Sequence, residues 1–325
     1  MTSRPHDALF RSAFEQPAHA DGTLRHVLSA DLAAAVDWSA LRLEPGSFVD
    51  PELADHHTDL LFSARLGGAA ALIYVLLEHQ STADRRMPLR MLVYMARIWE
   101  RHVGDAAADA PLPAIVPVLM THARGQPAPT RMHELVRPAP AAVPGLARRV
   151  PEFEVVVDDL AAVSNEDLRA RSLAVFPMLA LWLLRDGRDP AALLRNLNEW
   201  AEAFHAVALA PDGLGALHKL LRYVDLVTTE RHRGVFYGKL VRLAPATKEV
   251  VMNYGDRFFA EGKAEGKAEG KLDAQRDVLA KLLALKFGRL DAPASARLAS
   301  ASSDELDRWL ERLLAASDLG AVFDA

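Results

Sequence analysis

Apolar positions along this chain change their spacing several times, and each change marks an element. Residues 5–36 carry them at helical spacing and read as two short helices. Leu43 to Leu53 is loop-like, with Pro45-Gly46 as a turn signal. Thr58–Leu66 and Ala69–Glu78 then form two runs rich in Leu, Ile, Val, Phe and Tyr, joined by Gly67-Gly68. Such a pair predicts a hairpin with a primed turn. Met87–Val103 returns to helical spacing, and Ala114–Thr121 is a short buried strand. Residues 123–150, rich in Pro, Ala and Arg, read as a connection, and Phe153–Val157 as one more strand.

From Ser164 to about Tyr254 the pattern is helical throughout, interrupted by Pro177, Pro190 and Pro245. It opens on Ser164 with Asp167 three residues on, a helix-capping pattern. Residues 261–270 repeat as EGKAEGKAEG. Like charges recur four apart there and the glycines weaken a helix, so this stretch is expected to be a linker. A small helical unit follows. Ser302 and Glu305 form its capping box, and Leu306, Trp309, Leu310, Leu313 and Leu314 mark one apolar face.

Composition narrows the chemistry. The 325 residues include no cysteine, which excludes disulfides, thiol catalysis and cysteine-ligated metals. Met1 to Phe10 has no apolar core of a signal peptide, and no apolar run reaches the ~18–20 residues of a membrane span. A soluble, cytoplasmic protein is expected. The net charge of −5 requires any nucleic-acid surface to be local. Two stretches qualify. Arg85, Arg86, Arg90, Arg97 and Arg101 lie on one predicted helix and its lead-in. Lys219, Arg222, Arg231, Arg233, Lys239, Arg242 and Lys248 outnumber Asp225 and Glu230 further on. A solvated helical surface accounts for the second stretch at least as well as a DNA track does.

The hairpin holds the strongest chemical signal. If Gly67-Gly68 is a two-residue turn, Leu66 pairs with Ala69 and Asp59 lies opposite Leu76. Asp59, Glu78 and, where the strand continues, Gln80 then share one face. The Cβ atoms of Asp59 and Glu78 would be diagonal neighbours, roughly 7–8 Å apart. At that spacing both carboxylates can reach one octahedral cation at about 2.1 Å. The flanking residues are almost all apolar, and buried carboxylates are costly unless a divalent ion compensates them. The plainer alternative is that Asp59 opens a strand at a solvent edge and Glu78 ends one. A zinc site from His56, His57 and His79 lacks any helical His pair to support it.

Asp at a strand start, then Glu-x-Gln closing the next strand, then a helix and another strand, resembles the PD-(D/E)XK nuclease core. More specifically, His6-Asp7 with Leu9-Phe10, LEPGSFVDPEL at 43–53, TDLLFS at 58–63, IYVLLEHQS at 73–81 and MPLRMLVYM at 87–95 resemble the recombination-promoting nuclease family. That family is also labelled "putative transposase, YhgA-like". The similarity covers roughly residues 5–260. The tail, LLALKFGRL at 282–290 with SSDELDRWLERLLAASDLGAVF at 302–323, is similar to a small helical domain often appended to such chains.

The resemblance implies an α/β fold with four parts. They are a restriction-endonuclease-like core of mixed sheet flanked by helices at 1–160, a helical extension at 161–260, the linker at 261–271 and a helical C-terminal domain at 272–325. It further implies hydrolysis of DNA phosphodiesters with Mg²⁺ or Mn²⁺, in recombination or transposition. Asp59 and Glu78 would ligate the metal. Gln80 would stand where the superfamily usually has lysine, beside the attacking water or the scissile phosphate. His6, Asp7 and Arg90 are candidates for phosphate contact or for support of the metal ligands. The family's Tyr-His-Gly step reads Thr121-His122-Ala123 here. The alternative is a nuclease-fold protein that binds DNA without efficient catalysis. A weaker one is self-association, as a homo-oligomer, through the C-terminal unit.

Overall fold

The computed structural model describes residues 5–45, 58–78, 84–105, 110–122, 128–253 and 275–288, and most of 294–323. Thr58, Leu77, Glu78, Asp105, Ser303 and Asp304 are described by their backbone alone. The chain divides into two compact units, Met1–Val251 and Met252–Ala325.

The first unit is built on a five-stranded mixed sheet in the order β1-β2-β3-β4-β5: β1 (Val36–Leu43), β2 (Thr58–Leu66), β3 (Ala69–Glu78), β4 (Ala114–Thr121) and β5 (Val156–Asp159). Strands β1, β2 and β3 pair antiparallel, whereas β4 joins β3 and β5 joins β4 in parallel. The β2–β3 turn is the two-residue one that the sequence predicts. Gly67 and Gly68 have φ of 56° and 83°, the left-handed values that a type I′ turn needs at both central positions. The resulting ladder runs without a break from Leu66↔Ala69 to Thr58↔Leu77.

Parallel pairing of β3 with β4 requires a crossover, and α4 (Met87–Asp105) supplies it. Its Met87, Met91, Tyr94 and Ile98 recur on one stripe. They pack on Leu61, Tyr74, Leu76 and Leu119, which alternate onto one face of the sheet. The other face carries Leu60, Phe62, Ile73, Val75, Val118 and Met120, all buried. Helix α1 (Pro5–Phe14) packs against β2 and also against α6 (Val175–Asp186) and α8 (Gly213–Val227), with Leu9, Phe10, Ala13 and Phe14 as its inner side.

Three readings are corrected. Residues 5–35 hold three helices, α1, α2 (Pro17–Val27) and α3 (Ala30–Ala35), because Ser29 caps a new turn by accepting from the Leu32 amide. The sequence reading also passes over β1. That strand lies at the sheet edge and exposes Asp37 and Ser39. Its buried residues are only Val36 and Leu41, so its apolar pattern is too sparse to read. The last strand begins at Val156 rather than Phe153, and Glu154 forms only an isolated bridge with Arg131.

The helical extension follows the predicted pattern. Ser164 caps α5 (Asn165–Ala170), accepting from the Asp167 amide at 3.0 Å. Helix α6 is buried over Leu179–Leu184, as expected of a helix that is apolar all round. Trp182 stacks on Trp200 of α7 (Pro190–Leu209) with ring centroids 5.4 Å apart. Asp186 accepts from Trp182 Nε1 at 2.7 Å, Asn196 Nδ2 at 2.6 Å and Arg185 Nε at 2.7 Å. Arg185 also donates to the Val163 carbonyl and to Asn165. An open pocket of about 250 Å³ is lined by this network. The same network already uses the donors of the guanidinium, so the group serves to lock α5, α6 and α7 together.

Sheet and extension are joined by a buried ion pair. Arg171, just past α5, donates both terminal nitrogens to the two oxygens of Asp158 on β5, each at 2.8 Å. In the second unit, Leu279, Leu283, Leu298, Leu306, Trp309, Leu313, Val322 and Phe323 form a separate apolar core. Its capping box at Ser302 and Glu305 is present as predicted. The EGKA repeat lies outside the described residues. Among the described residues no helix is long and apolar enough to cross a membrane.

Breaking a buried pair leaves one charge stranded, so Arg171→Ala should destabilise the first unit by about 3–5 kcal/mol in urea unfolding. Replacing both partners with Leu should recover much of that loss. A chain ending at Ala260 should remain soluble and melt in one cooperative transition. A molten or insoluble fragment would show that the second unit belongs to the main core.

Candidate functional site

The register places the candidate carboxylates. Asp59 pairs with Leu76, and Glu78 stands two positions further along β3, paired with Thr121 of β4. Strand alternation therefore puts position 78 on the Asp59 side of the pleat. This is the face that α4 covers, so Asp59 opens its strand beside an apolar layer.

Asp59 is half-buried there. Tyr74, on the same face, donates its hydroxyl to Asp59 Oδ2 at 3.0 Å. Arg11 of α1 donates to the Asp59 carbonyl at 3.3 Å. Burial pushes the Asp59 carboxyl above its ordinary value, and the Tyr74 bond and the Arg11 charge only partly oppose it. Burial, with the Asp59 charge beside it, holds the Tyr74 phenol far up, so it remains a hydrogen-bond donor. Tyr94 of α4 packs on Tyr74 with ring centroids 5.6 Å apart.

Arg90 lies on this side too. It donates to Asp84 at 2.8 Å, and its charge acts on the Tyr74 phenol. A role in phosphate contact would require it to share or leave Asp84. Gln80, like His56, His57 and His79, lies outside the described residues. Among the described residues no group of three His, Cys, Asp or Glu side chains is placed to hold a metal ion.

His6 has other neighbours. On α1, it accepts from Arg188 Nε at 3.2 Å through Nε2 and meets the Tyr223 hydroxyl at 2.8 Å through Nδ1. Its ring lies 5.2 Å from that of His122, centroid to centroid. His122 directly follows Thr121, the partner of Glu78. Asp7 is next to His6 on the same helix. No hydrogen bond joins His6 to Asp59 among the described residues.

Tyr74 and Arg188 were not singled out for chemistry by sequence reasoning, and Tyr223 entered it only as an aromatic residue within the second basic stretch. Tyr74 was legible: it is two residues from Leu76 on the hairpin face that carries Asp59. Arg188 and Tyr223 carry no local signal, because they reach the sheet end only through packing of the helical extension. The second basic stretch is partly used inside that extension. Arg233 Nε lies 3.6 Å from Asp225, and Lys239 donates to the Leu194 carbonyl.

Residues 4–209 match the family model described as "Putative transposase, YhgA-like". This chain belongs to that family. Among curated proteins it is 29% identical to the recombination-promoting nuclease RpnD of Escherichia coli O157:H7, over 79% of this chain and 94% of that one. It is 27% identical to the recombination-promoting nuclease RpnA of Escherichia coli K12, over 81% and 86%. It is also 31% identical to the inactive recombination-promoting nuclease-like protein RpnE of the same strain, over 55% and 58%. No solved structure matches. The relatives of this chain thus include proteins named nucleases and proteins named inactive.

The raised carboxyl of Asp59 has a consequence for stability. A group that binds its proton more tightly when folded favours the folded state below its unfolded value, here the ordinary 3.8. That contribution is lost as pH rises through the folded value. Asp59→Asn removes the penalty while its amide oxygen still accepts from Tyr74. The variant should be more stable than the parent in urea at pH 7, and the gap should close as pH falls toward 4. A gap that widens at low pH would contradict the assigned sign.

Proposed function

We propose that this chain is a metal-dependent DNA nuclease acting in recombination, with a PD-(D/E)XK-like core. The observation that carries the reading is the β2–β3 register, which sets position 78 diagonally across from Asp59 on one face. The order of helix, antiparallel strands, crossover helix and parallel strand supports it. So do the relatives named recombination-promoting nucleases.

A divalent cation suits Asp59 on physical grounds. Its carboxylate is desolvated beside an apolar layer, and burial is the largest influence on its titration. A bound cation would reverse that penalty. Asp59 and Glu78 would hold Mg²⁺ or Mn²⁺, and the ion would supply an activated water and charge stabilisation at the phosphate. Tyr74 fixes the Asp59 carboxylate by its hydrogen bond, and Arg11 fixes the strand end through the backbone. Gln80 would orient water or the scissile phosphate without bringing a positive charge. Arg90 is the nearby cation of α4 that could supply one.

A second reading, a nuclease-fold protein that binds DNA without efficient cleavage, is favoured by one observation: a relative 31% identical to this chain is named inactive. Plasmid cleavage with Mg²⁺ or Mn²⁺ separates the two. The wild type should cut, and Asp59→Asn and Glu78→Gln should fall to background. Metal-free DNA binding by these variants should hold or tighten, since a carboxylate that repels phosphate is gone. Wild-type protein that binds DNA but never cuts it, with carboxylate variants behaving identically, would replace the first reading with the second.

A further inference from the structure

Next to Thr121, at the sheet end that carries Asp59, four polar groups meet: His6, His122, Arg188 and Tyr223. They come from α1, the end of β4, the turn after α6, and α8. Their hydrogen bonding is determined by chemistry. Arginine Nε can only donate, so the 3.2 Å contact makes His6 Nε2 an acceptor. The His6 proton must then sit on Nδ1, where it is donated to the Tyr223 oxygen at 2.8 Å. These two bonds hold the His6 ring in one orientation.

The backbone is shaped to allow this. Gly187 immediately precedes Arg188, and a Cβ there would lie 2.7 Å from both Tyr223 Cε1 and its hydroxyl, and 2.6 Å from the Leu183 carbonyl. Only glycine lets the turn close on Tyr223 while the hydroxyl reaches His6. Tyr223 is fully enclosed, and burial keeps its phenol protonated. His6, so fixed, packs on the ring of His122, which is itself buried. His122 is covalently next to Thr121, and Thr121 is the ladder partner of Glu78.

We propose that Arg188, Tyr223 and His6 form a positioning chain. Through His122 and Thr121 it holds the end of β4, and with it the backbone of Glu78, in the geometry that metal binding and cleavage require. The inference rests on the proposed nuclease reading. It makes the helical extension a working part of the site rather than a separate cover. Loss of groups that orient metal ligands typically costs about 10–100-fold in metal affinity, and a positioning chain is expected to act in that range.

The test uses the full chain and two readouts: Mn²⁺ affinity by calorimetry without DNA, and Mn²⁺-dependent plasmid cleavage. Tyr223→Phe removes one hydroxyl and keeps the ring. Arg188→Ala alters an exposed turn residue and leaves the core packing untouched. Each should weaken Mn²⁺ binding about 10–100-fold and lower kcat, with KM for DNA unchanged. His6→Asn, which retains a donor near the Nδ1 position, should recover part of what His6→Ala loses. Circular dichroism confirms that each variant is folded. If folded Tyr223→Phe and Arg188→Ala bind Mn²⁺ and cleave as the wild type does, the positioning chain is refuted while the nuclease reading stands. If the wild type neither binds Mn²⁺ nor cleaves, while Asp59→Asn behaves identically, the nuclease reading falls and this inference falls with it.

Discussion

Two glycines with positive φ fix the pairing of β2 with β3, and the layout of the first unit follows from that pairing. Side chains alternate with a period of two, so a slip of one residue would move every β2 side chain to the opposite face. Asp59 would leave Tyr74, and Leu60 and Phe62 would exchange places with Leu61. The type I′ turn at Gly67-Gly68 prevents the slip because any side chain at those φ values would be strained. The α4 stripe then has one apolar face to cover, and β4 can join β3 only in parallel. Sheet order, crossover and the surroundings of Asp59 are successive consequences of one turn.

The parts of this arrangement that were legible in the sequence are the local ones. Gly67-Gly68 between two apolar runs specifies both the hairpin and its register, so the Asp59–Leu76 pairing follows before any coordinates. Capping at Ser164 and Ser302 is equally local, since a hydroxyl and a carboxylate three residues apart meet within one turn. Strand β1 was not legible because an edge strand paired on one side needs few apolar residues, and this one buries two. The Arg171–Asp158 clamp and the Arg188–His6–Tyr223 chain were not legible for a different reason. Their partners are separated by 13, 182 and 217 positions, and no periodicity in a sequence reports contacts of that span.

Buried polar groups in this unit fall into two kinds, and the difference separates structure from candidate chemistry. Asp186 and Asp158 are surrounded by directed donors: Trp182, Arg185 and Asn196 for the first, a bidentate Arg171 for the second. Low dielectric strengthens such satisfied networks and makes them good locks. Asp59 is different. Its main partner is a single phenol, its burial outweighs that bond, and its ionised form is disfavoured where it sits. At neutral pH the ionised form of such a group costs the fold stability. The proposed divalent cation would offset that cost beside the apolar layer under α4.

Helix α1 connects the two sides of this economy. Leu9, Phe10, Ala13 and Phe14 anchor it between sheet and extension, which fixes the helix rigidly enough for its polar residues to act at a distance. From that anchored helix Arg11 reaches the backbone of Asp59, while His6, more than a turn earlier, meets Tyr223 and Arg188. One element thus touches the start of β2 with one residue and the end of β4 with another. Those two strand ends flank the end of β3, where Glu78 stands. A sheet alone would leave three strand ends free to fray independently, since terminal residues have few neighbours. A helix bound to both outer ends, and held in turn by α6 and α8, removes that freedom, so the geometry around positions 59 and 78 depends on residues that lie more than a hundred positions further along the chain.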